Sequence, residues 1–239
     1  MDISRIFRLR KRQKIARCGA VIVAAGNASR MGGIDKVMAP IGGAPMILHT
    51  VRQFQNCDAI QEIIVVTRQD LIESVMALCR DCTKLKAVVP GGSDRSQSVE
   101  MGLRALSETS RLVAVHDGAR PFASVQLIER VVRTANACGA AAPGIPVKNT
   151  IKVMRGDLVA ETPNRAALRA VQTPQVFDAD LLRGALAKAT ADGIVLTDDC
   201  SAMEHMGMSV QIVEGEETNI KVTTPMDLKL AELILEELQ

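Results

Sequence analysis

Aromatic residues are nearly absent from this chain, which has no tryptophan or tyrosine and only four phenylalanines among its 239 residues. Proteins that bind single-stranded nucleic acids stack the bases on aromatic side chains. We therefore expect no nucleic-acid partner. Long apolar runs are also absent, since none approaches the roughly 18 residues that a membrane-spanning helix needs. The sequence predicts a soluble protein without a membrane partner.

Histidine and cysteine are too few or too scattered for the common catalytic and metal sites. The three histidines, His49, His116 and His205, form no Ser-His-acid pattern and no histidine-rich metal site. The one close cysteine pair, Cys79 and Cys82, lacks the second pair or nearby histidines that a zinc site requires. Reduced thiols and a cytoplasmic location are the expectation.

Length and charge indicate one large domain with a basic extension. Hydrophobic residues make up 47% of the chain and charged residues 23%, which is globular usage. Residues 1–17 hold seven basic residues against one acid, which leaves 22 basic and 26 acidic residues in the remainder. We predict a solvated extension over 1–17, with contact to a membrane surface or nucleic acid as the alternative, and a single domain over 18–239.

Short apolar runs rich in β-branched residues alternate with helix-length segments along the first 140 residues. This alternation indicates right-handed crossovers and a doubly wound, mostly parallel, Rossmann-like α/β sheet. The last helix has a clear start, with Thr224 as the cap, Pro225 at the first position and Asp227 as the capping-box acid. The predicted strands are 20–24, 63–66, 86–89, 112–116 and 210–213, and the predicted helices are 45–55, 70–80, 96–106, 125–137, 179–191 and 198–206.

The alternation breaks between residues 144 and 172. Residues 147–154 and 158–161 read as two short strands around the turn 155–157, with no helix between them. The sequence therefore predicts a projecting β-arm over 144–172. An isolated two-stranded hairpin is only marginally stable in water, so the arm is expected to pack against a second subunit.

Ligands bind at the carboxyl ends of the strands in open parallel sheets, so the loops there carry the candidate site. The first loop runs from Ala24 to Gly33 and combines small residues with Arg30 and Lys36, which suits a triphosphate. It is neither a P-loop nor a dinucleotide fingerprint, and a simple tight turn is the alternative.

Three further loops at strand ends carry candidate ligand groups. Gly92, Ser93 and Ser98 can offer hydrogen bonds to a base edge, or serve only as turn and cap residues. Asp117 and Arg120 suit a hydroxyl or metal contact and an anion contact, or form a local ion pair, and Lys221 is functional or a solvated cation. A phosphate cradle with dispersed cations favours group transfer that relies on positioning and charge neutralisation.

Several of these motifs together resemble one family, the 2-C-methyl-D-erythritol 4-phosphate cytidylyltransferases, over residues 18–236. The resemblance implies a nucleotide-diphospho-sugar transferase-like fold and transfer of CMP from CTP to 2-C-methyl-D-erythritol 4-phosphate in non-mevalonate isoprenoid biosynthesis. It also implies Mg²⁺, held mainly by the CTP phosphates with Asp117 as a candidate ligand, and a homodimer formed through the β-arm. The matching segments are Ala24 to Met31 with Lys36, Gly91 to Ser98, His116 to Pro121, Pro146 to Lys152, Gln172 to Gln175, Thr197 to Asp198, and Asn219 to Thr223.

The same resemblance implies a role for each site residue. Arg30 and Lys36 stabilise charge on the α-phosphate, and Arg165 reaches the substrate of a neighbouring subunit. The nucleotide is held by Ala24, Ala25, Gly26, Gly92, Ser93 and Ser98. The acceptor is oriented by Asp117, Arg120, Thr150, Thr173 and Lys221.

Two other enzyme classes compete with this interpretation. A ribitol-5-phosphate cytidylyltransferase shares the nucleotide half, but the segment 146–152 is more similar to the erythritol enzymes. An NAD-dependent oxidoreductase is disfavoured, because the glycine fingerprint is missing and the second strand ends in Thr67 and Arg68 instead of an acid.

Overall fold

The computed structural model describes residues 15–26 and 36–238. The basic residues of segment 1–14 and the loop residues 27–35, Arg30 among them, lie outside the described residues. The strands are β1 (Cys18–Val23), β2 (Pro40–Ile41), β3 (Ala44–Pro45), β4 (Ile60–Thr67), β5 (Leu85–Pro90), β6 (Leu112–Asp117), β7 (Ala140–Pro146), β8 (Val153–Arg155), β9 (Leu158–Glu161), β10 (Arg169–Val171), β11 (Gln175–Asp178) and β12 (Gln211–Glu214). The α-helices are α1 (Met46–Gln55), α2 (Ile72–Leu78), α3 (Arg95–Ala105), α4 (Val125–Cys138), α5 (Ala179–Ala191), α6 (Asp199–His205) and α7 (Pro225–Glu237).

The main sheet of the described residues has eight strands, in the order β10-β7-β11-β6-β1-β4-β5, with β12 added beside β7. Strand β1 lies between β4 and β6 and is parallel to both. The pairs β4–β5 and β12–β7 are also parallel, whereas β11 runs antiparallel to β6 and β7, and β10 antiparallel to β7. The prediction of a mostly parallel α/β sheet is confirmed.

Both faces of the sheet are covered by helices, which explains the continuous apolar runs. Ile63 and Val65 of β4 belong to the core beneath α1, α2 and α4, while Ile64 and Val66 belong to the core beneath α3, α5 and α6. All four side chains are fully buried. A strand covered on both faces needs apolar residues at every position, not at every second one.

The C-terminal helix closes a third, smaller cluster. Thr224 caps α7 by accepting a hydrogen bond from the Asp227 N–H, and the Asp227 side chain completes the capping box, as the sequence predicts. Ala231 and Ile234 of this helix pack on Ile41 of β2. No helix within the described part of the chain is both long and apolar enough to cross a membrane.

Residues at both ends of the predicted β-arm pair with strands of the main sheet. Residues 144–146 lie in β7 and residues 169–171 in β10, so both segments belong to the main sheet. The projecting part is 147–168. Its first strand is only Val153–Arg155, not 147–154, whereas the second strand at Leu158–Glu161 and the turn through Gly156 form as predicted.

Strand β7 was not predicted at all, because its sequence opens with three alanines and contains Pro143 and Pro146. Alanine and proline are depleted in strands. The strand forms because it is flanked by β12 on one edge and by β11 and β10 on the other. Long-range pairing thus overrides a weak local preference.

Candidate active site

A cavity of about 530 Å³ opens at the carboxyl ends of β1, β4, β5 and β6. Nine of the residues that the sequence singles out line it. The structure therefore brings together three predicted loops and Lys221, which are far apart along the chain. These nine residues are Ala24, Ala25, Gly26, Lys36, Gly92, Ser93, Ser98, Asp117 and Lys221.

The loops after β1 and β5 are joined closely at the base of the cavity. The Ala24 N–H donates to the carbonyl of Val66, and the Gly91 N–H donates to the carbonyl of Thr67. A Cβ atom on Gly91 would lie 2.3 Å from the Cβ of Ala25 and 2.9 Å from Oγ of Ser98. Only glycine leaves enough space for this approach of the two loops.

The loop after β5 is a structured turn that leads into α3. Asp94 caps this helix by accepting a hydrogen bond from the Gln97 N–H. The Ser98 hydroxyl accepts from the Gly92 N–H at 3.2 Å and donates to the carbonyl of Asp94, and the Gln97 side chain accepts from the Ser93 N–H. Gly92, Ser93 and Ser98, which the sequence predicts to face a base, thus also stabilise the turn and the start of α3.

Asp117 is the electrostatic centre of the cavity. Its carboxylate lies 2.7 Å from Nζ of Lys221, 3.6 Å from Nε of Arg95 and 3.8 Å from Nε of Arg120. Burial by itself raises the pKa of a carboxyl group, but Lys221, Arg95 and Arg120 outweigh it and lower the pKa of Asp117 to about 2. Asp117 is therefore ionised at neutral pH.

Arg95 links Asp117 to a second, fully buried carboxylate. Its Nη2 donates to Asp199 at 2.8 Å. Burial by itself lowers the pKa of the Arg95 guanidinium, but the carboxylates of Asp199 and Asp117 outweigh burial and raise that pKa. The main chain of Asp199 is held in turn by the side-chain amide oxygen Oε1 of Gln175, which accepts from the Asp199 and Cys200 N–H groups at the start of α6.

His116 and Thr173 lie behind Asp117 and hold its main chain. Nε2 of His116 donates to the Arg120 carbonyl at 3.0 Å, so Nδ1 accepts from the Thr173 hydroxyl, which itself accepts from the Asp117 N–H. Burial lowers the pKa of His116 to about 4. Thr173 is therefore a buried support of Asp117 and does not line the cavity.

Arg120 and Lys221 are held in place by the loop 215–221. Arg120 donates from Nη1 to the carbonyl of Asn219 at 2.7 Å, and its guanidinium is nearly buried. The Gln172 side chain donates to the carbonyl of Glu216 and accepts from its N–H, which fixes the same loop. The sequence gives no signal for this clamp, because its partners are about 40 residues apart.

Thr150 and Arg165 are both on the arm and do not line the cavity of their own chain. Thr150 is exposed, and Arg165 donates from Nη1 to the carbonyl of Lys148 at 2.6 Å. The predicted site residues thus form one group around the cavity and a separate pair on the arm.

The cavity also contains charged residues to which the sequence assigned no role. Arg68, Asp94 and Arg95 all line it. Arg68 directly follows β4, and Arg95 opens α3 at the end of the loop after β5, so the rule that ligands bind at strand carboxyl ends was sufficient to find them. No group of three or more His, Cys, Asp or Glu side chains suited to a metal ion occurs in segments 15–26 and 36–238.

Comparison with known proteins gives consistent matches along nearly the whole chain. The family model described as 2-C-methyl-D-erythritol 4-phosphate cytidylyltransferase matches residues 18–237. A protein of that name from Symbiobacterium thermophilum is 42% identical over 91% of this chain and 92% of its own length. One from Bacillus velezensis is 44% identical over 90% of this chain and 94% of its own length.

Solved structures with similar names share the fold. The 4-diphosphocytidyl-2C-methyl-D-erythritol synthase of Anaerococcus prevotii superposes with a TM-score of 0.85 at 32% identity, covering 92% of this chain and 96% of its own. The 2-C-methyl-D-erythritol 4-phosphate cytidylyltransferase of Thermus thermophilus has a TM-score of 0.76 at 34% identity, covering 90% and 98%. The similarity thus extends over sequence and fold together.

Proposed function

The chain belongs to the 2-C-methyl-D-erythritol 4-phosphate cytidylyltransferase family, whose members transfer CMP from CTP in isoprenoid biosynthesis, and we propose that the cavity between β1, β4, β5 and β6 is its active site. The observation that carries this proposal is the meeting of Lys36, the Ala24–Gly26 main chain and the Asp117–Lys221 pair around one cavity. Cations and main-chain groups at strand ends are what a triphosphate and a phosphorylated acceptor require.

The reaction exchanges one phosphoryl bond for another. A phosphate oxygen of 2-C-methyl-D-erythritol 4-phosphate uses a lone pair to form a bond to the α-phosphorus of CTP. The bond from that phosphorus to the oxygen bridging to the β-phosphate breaks, and its electron pair leaves with pyrophosphate. The products are 4-diphosphocytidyl-2-C-methyl-D-erythritol and pyrophosphate, and no protein nucleophile is consumed.

The nucleotide binds along the loops after β1 and β5. Ala24, Ala25 and Gly26 bring main chain close to the phosphates, while Gly92, Ser93 and Ser98 face the cytosine end. Lys36 stabilises the charge that develops on the α-phosphate, with Arg30 as a second cation in this role. These assignments are supported by the position of the residues in the cavity wall. Arg30 is the exception, because it lies outside the described residues.

The acceptor binds on the β6 side of the cavity. Asp117 accepts hydrogen bonds from the acceptor hydroxyls, and Lys221 and Arg120 balance the negative charge there. A carboxylate whose pKa is lowered to about 2 stays an acceptor of hydrogen bonds at neutral pH. Thr173 and His116 act through Asp117 by holding its main chain.

Mg²⁺ completes the nucleotide site. The residues fit such an ion, because Mg²⁺ in nucleotide sites uses one or two carboxylates and takes its other ligands from phosphates and water. Within the described residues, Asp117 and Asp94 are the carboxylates of the cavity wall, and Asp94 already caps α3, so Asp117 is the candidate ligand among them. When bound, the ion neutralises phosphate charge in the transition state.

The working form is a homodimer joined by the arms, in which Thr150 and Arg165 serve the neighbouring subunit's acceptor. Apolar side chains of the arm are exposed in the single chain, with Leu158 exposed to 76% and Val159 to 56%. Lys148, Lys152, Arg155, Arg165 and Arg169 give the arm and its base the positive charge that suits a phosphorylated substrate. This arrangement explains why the two arm residues lie away from the cavity of their own chain.

The enzyme works in the cytoplasm. All six cysteines lie within the described residues and none forms a disulfide. Free thiols of this number are typical of reducing compartments.

Release of pyrophosphate tests the proposal. CTP, UTP, ATP and GTP are each offered with 2-C-methyl-D-erythritol 4-phosphate or with ribitol 5-phosphate. We expect release with CTP and the erythritol phosphate, because a small pocket excludes purines and because unpaired groups facing uracil cost about 1 to 3 kcal/mol each. Equal rates with CTP and UTP would contradict the proposal that this cavity distinguishes cytosine from uracil. Faster turnover of ribitol 5-phosphate than of 2-C-methyl-D-erythritol 4-phosphate would contradict the proposed acceptor.

A further inference from the structure

Arg68 lines the cavity, yet no motif of the sequence gives it a function. It follows the last residue of β4, and β4 pairs with β1 on one side and with β5 on the other. Arg68 thus follows the strand that lies between the strands leading to the Ala24–Gly26 segment and the Gly91–Gly92 turn, and it lines the cavity with both segments. Its side chain is 30% exposed, so it is partly buried at the cavity wall.

The guanidinium of Arg68 is held in one orientation by a solvent-exposed partner. Its Nε and Nη2 atoms donate to the two carboxylate oxygens of Asp70 at 3.0 and 2.9 Å. Asp70 is 65% exposed, whereas the carboxylates that pair with Arg95 and Lys221 are buried. An exposed ion pair contributes little free energy, so a phosphate can compete with Asp70 for this cation.

The sheet order assigns Arg68 to one side of the reaction. Strand β1 lies between β4 and β6, so Arg68 at the end of β4 and the Asp117–Lys221 pair at the end of β6 flank opposite sides of the Ala24–Gly26 segment. In phosphoryl transfer the attacking and leaving oxygens lie roughly in line on opposite sides of the phosphorus. With the acceptor on the β6 side, the leaving group lies on the β4 side.

We propose that Arg68 is a further substrate-contacting residue, which donates hydrogen bonds to the β- and γ-phosphates of CTP and stabilises pyrophosphate as it leaves. This inference rests on the proposed function, because it requires CTP to occupy the cavity. Arg68 keeps its proton throughout and supplies charge and geometry only. A planar guanidinium fits two phosphate oxygens at once, which a lysine at this position does not do.

Titration calorimetry of Arg68→Gln with CTP, CMP and inorganic pyrophosphate tests the proposal, with Mg²⁺ present and no acceptor. We expect the Kd of CTP and of pyrophosphate to rise at least tenfold, as loss of a charge-assisted hydrogen bond predicts. The Kd of CMP stays within about twofold, because CMP lacks the β- and γ-phosphates. Equal weakening of CTP and CMP, or no weakening of either, overturns the proposal.

Two variants control for net charge and for local structure. Arg80→Gln removes the same charge from an arginine that is 82% exposed and forms an ion pair with its neighbour Asp81, and it is expected to bind CTP like wild type. Asp70→Asn keeps the Arg68 cation and removes its competing carboxylate, so CTP is expected to bind at least as tightly as in wild type. A loss in Asp70→Asn as large as that in Arg68→Gln would assign the effect to the turn and overturn the proposal.

Gly91→Ala in the same titrations separates failure of this inference from failure of the active-site assignment, because its added Cβ forces apart the two loops that hold the nucleotide. If the cavity does not bind CTP, Gly91→Ala and Arg68→Gln both bind CTP like wild type. If only the role of Arg68 is wrong, Gly91→Ala binds CTP more weakly and Arg68→Gln does not.

Discussion

A cation that is aimed at the transferring phosphate acts mainly in the transition state. Lys36→Ala and Arg30→Ala are each expected to lower kcat by two to three orders of magnitude, because one donor aimed at developing charge contributes roughly 3 to 4 kcal/mol. Steady-state kinetics of pyrophosphate release measures kcat, and thermal denaturation shows whether the fold persists. Turnover close to wild type in a folded variant would remove that residue from the catalytic set.

A buried histidine gives the protein a dependence of stability on pH. His116 is fully buried, and burial lowers its pKa from 6.5 to about 4, so the folded state holds it neutral in a range where the unfolded chain binds a proton. The stability that it contributes is present above pH 6.5 and is lost as pH falls toward 4. The loss is roughly 3 kcal/mol by linkage.

Urea denaturation at pH 7.0, 5.5 and 4.5 measures this loss. In His116→Gln, whose amide can still donate to the Arg120 carbonyl, the free energy of unfolding is expected to fall less steeply with pH than in wild type. The surface variant His205→Gln should keep the steep decline. Parallel pH profiles for wild type and His116→Gln would show that another group is responsible.

At the scale of elements, the site depends on how closely the loop after β1 approaches the loop after β5. Gly91→Ala would place a Cβ 2.3 Å from that of Ala25 and so force the two loops apart. We expect KM for CTP to rise at least tenfold and the free energy of unfolding to fall by about 1 to 3 kcal/mol, as for other overpacked sites. Kinetics with CTP varied at saturating acceptor, together with urea denaturation, checks both.

Gly184→Ala is the matched control for this substitution. Gly184 lies within α5, and the nearest atom to its added Cβ is Sδ of Met206 at 4.0 Å. Alanine stabilises a helix interior relative to glycine by about 0.5 to 1 kcal/mol, so this variant should be slightly more stable and bind CTP normally. If Gly91→Ala behaved in the same way, the close approach of the loops would have no role in binding.

At the scale of the whole molecule, the position of the arm predicts a site shared between two subunits. Arg165 does not line the cavity of its own chain. Its Nη1 donates to the carbonyl of Lys148 on the arm. A heterodimer of Arg165→Ala and Lys36→Ala chains is therefore expected to regain up to about half of wild-type activity, because one of its two composite sites has both native residues.

The two variants are co-expressed with different tags, and the heterodimer is isolated before assay. Each parent homodimer is the control and lacks one residue in both sites. Activity no higher than that of the parents would assign Arg165 to its own subunit or to no catalytic role. A monomer in light scattering at micromolar concentration would remove the premise.

Elements whose signals are local could be predicted from the amino-acid sequence. The continuous apolar run of β4 requires burial on both faces, and the Thr224–Asp227 capping box fixes the start of α7 within a few residues. The candidate loops followed from the same elements, because a strand's carboxyl end is known once the strand is known. Nine predicted site residues therefore line one cavity in the structure.

Features that depend on residues far apart in the chain could not be predicted in this way and are seen only in the folded protein. Ala140–Pro146 forms a strand because neighbouring strands pair with both of its edges, against its own weak preference. Asp117 has a pKa of about 2 because Lys221 and Arg95, both distant in the chain, converge on it together with the neighbouring Arg120. Burial and Coulomb interactions depend on distance in space, and separation along the chain does not determine that distance.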